Sequence, residues 1–247
     1  MPHYLTFALV APLAAFGSIA VGERRGGWDR PGRSAVLGLI GACLGLERED
    51  EAGQAALAEG YGLAMLCVAP GALLADYHTA QVPSAQRGRR FATRAEELAA
   101  PGLNTILSRR DYRSGAWHLA ALWPRVPAPR WGLEAIAEAM RRPVFTPYLG
   151  RKSCPLGLPL APELVAATDA PAALLARHAS EAKEGRFRKT WLGPATGPLT
   201  VAMEAEPGGL PAGLRHLRTE RRRDQPRSRR RWQFDLREEL ILAVPQP

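Results

Sequence analysis

Cysteine is scarce in this sequence. Cys43, Cys67 and Cys154 are odd in number and far apart, with no CxxC pair or Cys/His cluster among them. That pattern excludes a disulfide framework and a zinc site and fits a reduced, cytosolic setting. The five histidines, His3, His78, His118, His178 and His216, are scattered without HxxxH or HxH metal spacing. There is no GxSxG nucleophile elbow. A GxxxxGK[ST] phosphate loop is also missing, because Arg151 stands between Gly150 and Lys152. Acidic residues are outnumbered, 24 Asp plus Glu against 33 Lys plus Arg. The longest apolar run, residues 4–21, is broken by Pro12 and Gly17 and has no basic residue before it. Its start alternates Leu5, Phe7 and Leu9 with Thr6 and Ala8, which is the period of a strand. The expectation is therefore neither a signal peptide nor a spanning helix, and no membrane partner. No internal repeat is present.

What the chain does have is apolar content and positive charge. Its 247 residues, 46% hydrophobic, can bury one sizeable core or a core plus an appendage. The net charge of +9 points to a polyanionic partner, or to a generically basic protein. Arginine dominates over lysine and offers a planar fork for phosphates and a flat face for bases, although GC-rich coding would enrich it too.

Along the chain, residues 4–10 read as a strand and 22–32 as a Gly-rich, charged loop. A buried helix over 35–44 follows, with Ser34 as its cap and Gly45 as its stop. Gly38 and Gly41 on that helix would admit another backbone closely. Residues 61–69 read as a strand ended by Pro70-Gly71. Residues 81–101, with Arg87, Arg89, Arg90 and Arg94 and no clean period, read as an exposed insertion. Residues 117–123 form an apolar core strand. The clearest helix spans 133–142: Leu133, Ile136, Ala137 and Met140 share one face, Glu134 and Arg141 match the dipole, and Pro143 ends it. Residues 199–205 and 232–236 read as strands on either side of an arginine run at 215–231. That run is a basic arm or a nucleic-acid surface, and the apolar return after Trp232 favours a loop tethered at both ends.

Four segments carry chemistry. In the stretch 147–155, Gly150 allows a tight turn, and Arg151, Lys152 and Ser153 offer donors that can hold a phosphate; a basic surface turn is the plainer reading. Arg33 and Ser34 sit where a helix N-terminus would attract an anion, or where Ser34 simply caps it. Arg109, Arg110, Tyr112 and Arg113 interleave cations with an aromatic, which suits single-stranded RNA or a solvated loop. Asp76 and His78 have acid–base groups, but one His near one Asp is weak support for catalysis.

Five stretches resemble the CasD family of type I-E CRISPR Cascade. Ala11-Pro12-Leu13-Ala14-Ala15-Phe16-Gly17 is similar to the family's G-P-[LM]-Q-[SA]-W-G. Residues 31–41 are similar to P-T-R-S-G-[LV]-L-G-L-L-[GA]. Asp76-Tyr77-His78-Thr79 matches D-[YF]-H-T, and Arg110-Asp111-Tyr112 matches R-x-Y. Residues 146–156 match T-P-Y-L-G-R-[RK]-S-C-P-L closely. The family's Gln, Trp and Thr are replaced here by Ala14, Phe16 and Gly32, so no contact of that Gln carries over. The last third of the chain matches poorly.

The resemblance implies an α+β fold: a modified ferredoxin-like (RNA-recognition-like, RAMP) palm, residues 1–80 and 102–160, with an inserted β-hairpin thumb at 81–101. Residues 161–247 are then a C-terminal extension with an Arg-rich loop at 215–231. It also implies a non-catalytic, cytoplasmic subunit without a cofactor that grips the 5′ handle of the guide RNA. Its partners would be the guide RNA, the repeated Cascade backbone subunit and the large subunit, with target DNA met only through the complex. Arg33 and Ser34 would meet a phosphate. Arg109, Arg110 and Tyr112 would hold handle nucleotides, Arg151, Lys152 and Ser153 would clamp the backbone, and His78 would touch a base or support the thumb. The rival reading is a metal-independent endoribonuclease using His78 with Lys152 or Tyr148.

Overall fold

The structure, a computed structural model, describes residues 1–247 apart from 21, 86–87, 89, 185–196, 206–209 and 245–247. Arg87 and Arg89 of the expected insertion therefore lie outside the described residues. In chain order the elements are β1 (His3–Ala14), β2 (Arg24–Arg25), α1 (Arg33–Cys43), α2 (Glu51–Gly60), β3 (Tyr61–Ala69), β4 (Ala72–Pro83), α3 (Arg94–Leu98) and β5 (Leu103–Pro124). Then come α4 (Leu133–Arg141), β6 (Glu163–Ala166), α5 (Ala170–Glu184), β7 (Thr200–Met203), β8 (Arg215–Ser228) and β9 (Gln233–Ala243). One sheet dominates this mixed α/β fold, in the order β6-β1-β5-β3-β7-β9-β8, with β2 and β4 each paired to β5. Neighbours along that path are antiparallel.

Both faces of the central sheet are covered, which is why β1 and β3 read as near-continuous apolar runs. On one face Leu5, Phe7 and Leu9 pack with α1, α2 and α4. On the other, Ala8 and Val10 meet Trp117, Leu119 and the small residues Ala170 and Ala173 of α5. The expected face of α4, Leu133, Ile136, Ala137 and Met140, is the buried one. Gly38 and Gly41 do not admit a backbone: side chains fill those places, the Arg229 guanidinium over Gly38 and Leu57 against Gly41.

β5 has two halves. Residues 116–122 are buried between β1 and β3, whereas 103–112 extend beyond both and, with 113–114, pair with β4. That ladder runs without a bulge from Ala72↔Ser114 to Pro83↔Leu103. The projecting hairpin therefore starts at Ala72, and the insertion expected at 81–101 is only its outer part. Near its tip α3 is capped by Thr93, whose hydroxyl accepts from the Glu96 N–H at 3.2 Å.

The expectation of an Arg-rich loop at 215–231 is corrected. Residues 215–228 are the strand β8, laddered to β9, and the segment from 161 onward supplies β6, β7, β8 and β9 to the same sheet. A charged run can be a strand here because one of its faces is neutralised. Arg222 and Arg237 stand opposite each other, as do Glu220 and Glu239, so like charges face across the ladder. Opposite charges join them diagonally and from elsewhere. Arg237 forks onto Asp224 (2.6 and 3.0 Å) and reaches Glu239 Oε1 at 2.6 Å. Arg30 donates through Nε to Glu239 Oε2 at 3.0 Å and through Nη2 to Glu220 Oε2 at 2.5 Å. Arg222 reaches Glu239 at 3.3 Å, with its guanidinium 4.6 Å from the Trp28 ring centre.

This network also sets the start of α1. The N-cap is Gly32, and Ser34 lies inside the helix without capping it. The Arg33 N–H instead donates to Asp224 Oδ2 at 2.8 Å. A Cβ on Gly32 would lie 2.5 Å from that oxygen, so the carboxylate occupies the space a side chain would need. Burial would raise the Glu239 carboxyl, but the guanidiniums of Arg237, Arg30 and Arg222 outweigh it and hold the pKa at about 2.

Replacing Glu239 with Gln should cost about 3–5 kcal/mol at neutral pH, because three guanidiniums lose a buried partner. A depressed folded-state pKa adds stability above the ordinary carboxyl pKa and loses it as pH falls towards the folded value. The gap between wild type and Glu239→Gln should therefore be full above pH 4.5 and close as pH falls towards about 2. Urea melts at a series of pH values measure it, and a pH-independent gap would contradict the assignment.

Candidate nucleic-acid interface

The turn at residues 148–155 is built by two buried anchors. Leu149 and Cys154 are enclosed, and the Leu149 N–H donates to Cys154 O at 2.9 Å. Cys154 N–H in turn donates to Arg151 O at 2.8 Å, closing a tight turn that turns Lys152 and Ser153 outward. Gly150 has φ +89°, and a Cβ there would lie 1.7 Å from Ala15 O. Ala15 N–H donates to Leu149 O at 3.0 Å. The segment at 11–17 and the turn at 148–155 thus fit together through a position that only glycine can take.

From this turn Arg151 reaches the hairpin base. Its guanidinium lies 4.5 Å from the Tyr112 ring centre, and Nη1 donates to Asp111 O at 3.3 Å. Arg110 is two residues along β5 on the same face as Tyr112, roughly 7 Å away at strand rise. The structure therefore gathers Arg110, Tyr112, Arg151, Lys152 and Ser153, from two distant segments, into one basic patch with an aromatic at its centre. The patch is preorganised: guanidinium and ring are stacked, and the flanking backbone is hydrogen-bonded.

Other expected residues lie apart. Arg109 is exposed, but alternation along β5 sends its side chain to the opposite face of the hairpin from Arg110. His78 shares the face of Arg110, and its Nε2 lies 2.5 Å from Asp76 Oδ2. It lies four residues along β4 from Leu74, the residue opposite Tyr112, or roughly 13 Å away at strand rise. Among the described residues no hydrogen bond or ion pair joins His78 to Lys152 or Tyr148. Arg33 is corrected outright: its side chain is 1% exposed. Its Nη2 donates to Ala58 O and Tyr61 O, both at 2.7 Å, and Nε faces Glu204 at 3.3 Å. Burial lowers its pKa to about 10, with Glu204 opposing. The phosphate expected at this helix start is pre-empted by Asp224, which belongs to the protein itself. Ser34 is half-buried, and its carbonyl accepts from Arg229.

Sequence reading missed Arg24 and Arg25. They form β2, in parallel register with Arg109 and Arg110. Two adjacent arginines in a glycine-rich loop were the available signal, but nothing local placed them beside β5. Among the described residues no group of three His, Cys, Asp or Glu could hold a metal, and no helix is long and apolar enough to cross a membrane.

The profile of the family described as CRISPR-associated protein (Cas_Cas5) matches residues 4–238. The chain is 33% identical over 185 residues to the CRISPR system Cascade subunit CasD of Escherichia coli (strain K12), covering 71% of this chain and 77% of that protein. A chain of a CRISPR RNA-guided surveillance complex superposes with a TM-score of 0.61 at 20% identity, covering 98% of this chain and 90% of that one. A solved Cas protein superposes with a TM-score of 0.57 at 23% identity, covering 98% and 95%.

Gly150→Ala should dislodge the turn while the sheet stays folded, because the added Cβ meets backbone and not a movable side chain. The expected result is a lower melting temperature with native far-UV dichroism and at least tenfold weaker binding to single-stranded RNA. Unchanged affinity would separate the turn from the interface.

Proposed function

The chain belongs to the CRISPR-associated Cas5 family, and on that basis we propose that it is a Cascade subunit holding the 5′ handle of the guide RNA without cutting it. The observation that carries this reading is the stacked pair Tyr112–Arg151, flanked by Arg110, Lys152 and Ser153. Single-stranded RNA is gripped by such pairings: a ring or guanidinium plane for an unstacked base, and cations for the flanking phosphates.

The fold supports a finer description. The strand order β6-β1-β5-β3, with α1 and α2 between β1 and β3 and α4 between β5 and β6, follows the ferredoxin-like βαββαβ plan. We read these elements as the palm and the β4–β5 hairpin as the thumb. α5 covers the sheet face that an RNA-recognition fold usually leaves open, so RNA is directed to the palm–thumb junction. Exposed Leu73, Leu74 and Ile106 on the hairpin leave apolar area for the adjoining backbone and large subunits of such a complex. Target DNA would be reached only through the complex, and no cofactor is required.

The reading is non-catalytic. Metal-independent RNA cleavage needs a base, an acid and a cation around one phosphate. His78 is set apart from Lys152 and Tyr148 and pairs with Asp76 instead.

Arg110→Ala and Arg151→Ala should each weaken handle-RNA binding about tenfold or more, since a positioned charge-assisted contact contributes about 1.5–3 kcal/mol. Arg222→Ala, which removes a buried cation, should lower stability and leave the affinity of the folded fraction nearly unchanged. Single-turnover incubation with labelled repeat RNA in EDTA should give no product. A specific product that disappears in His78→Ala would overturn the assignment.

A further inference from the structure

The hairpin has a second face. Arg109 lies back to back with Arg110 and Tyr112. Directly opposite it on β4 is Tyr77, and on its other side Arg24 of β2 pairs with it in register. Arg24, Arg109 and Tyr77 therefore form a row across three adjacent strands. All three are exposed, the Tyr77 residue 61% and the Arg24 side chain 73%. The carboxylate that reaches this row is Asp111, two residues along β5, with Oδ2 4.0 Å from Arg24 Nη2 and little exposure of its own.

Folding does not explain the row. Like charges directly opposite one another weaken a sheet. An exposed tyrosine adds nothing to the core. Yet Arg24 is held in place: the Arg109 N–H donates to Glu23 O at 2.9 Å, and Ser18 N–H donates to Gly26 O at 3.0 Å across the base of the loop. A cation–cation–aromatic row on a fixed backbone is suited to one nucleotide. With strands about 4.8 Å apart, the outer two residues of the row are about 10 Å apart.

We infer that this row is a second nucleic-acid contact, taking an unstacked nucleotide of a single strand with its base on Tyr77 and its phosphate between Arg24 and Arg109. The inference rests on the RNA-holding reading of the opposite face. Two sources share the chemistry: the guide RNA itself, passing round the hairpin, or a separate single strand.

The test uses the full-length protein, a handle-containing RNA and a single-stranded DNA of equal length, with binding followed by fluorescence anisotropy at several salt concentrations. Tyr77→Ala should weaken binding about five- to tenfold, and Tyr77→Phe should not, because stacking needs the ring and not the hydroxyl. The double variant Arg24→Ala with Arg109→Ala should reduce the salt slope by up to about 0.7, the share of the one phosphate held between them. Losses on handle RNA alone assign the row to the guide. Loss only when RNA-loaded protein captures the DNA assigns it to a separate strand. If Tyr77→Ala and the double variant match wild type on both ligands while Tyr112→Ala with Arg151→Ala loses RNA, the second face is refuted and the first stands. If that pair also binds normally, both readings fall.

Discussion

Asp224 and Glu239 hold three guanidiniums, those of Arg30, Arg222 and Arg237, in places water barely reaches, Asp224 also takes the Arg33 backbone N–H, and the rest of the architecture follows from that arrangement. Removing so many charges from water is costly unless every one is paired. The partners come from the segment before α1, from the end of β7 through Glu204, and from β8 and β9. No single segment is neutral on its own. The segments are therefore tied to one another electrostatically as well as through the apolar clusters on either side of the sheet.

That arrangement sorts the basic surplus into two populations. One is internal and already neutralised, and its guanidiniums act as cross-links between β8, β9 and α1. The other is external, at the hairpin base and the 148–155 turn, where, among the described residues, Arg110, Arg151 and Lys152 form no ion pair although Asp76 stands across the ladder from Arg110. Net charge alone could not make this distinction. Arg222 and Arg110 look alike in composition, yet one lies among Glu239, Asp224 and Trp28 while the other faces outward from a projecting strand.

The parts legible in the sequence were those with a local signal. β3 lies between a helix end and Pro70-Gly71, and α4 has a clean apolar face and a terminating proline, so both were placed almost to the residue. The turn around Gly150 was also legible, since glycine followed by three donors is local chemistry. α2 and α5 are not legible: α2 buries mostly Gly and Ala, and α5 mixes Ala170 and Ala173 with Leu174 and Arg177, so neither gives a strong period. β8 is not legible as a strand, because arginines lack strand propensity and part of their counter-charge, Glu238 and Glu239, comes from β9. The burial of Arg33 is hidden for the same reason. The residue that caps its helix, Asp224, is 191 positions away, beyond the reach of any local rule.

That separation bears on how the protein is made. A chain growing on the ribosome at about 5–20 residues per second completes α1 long before Asp224 exists. For roughly ten seconds or more the helix start lacks its partner, Arg33 lacks Glu204, and the sheet edge at β3 has no β7 to cover it. Native closure must wait for the last strands, and long-range closure of this kind slows folding. A truncation late in the gene would therefore leave more than a shortened edge: it would remove the counter-charges from residues translated at the beginning. The side chains at 109–112 and 151–153 are synthesised earlier, but the scaffold that fixes them is complete only once β9 has been made.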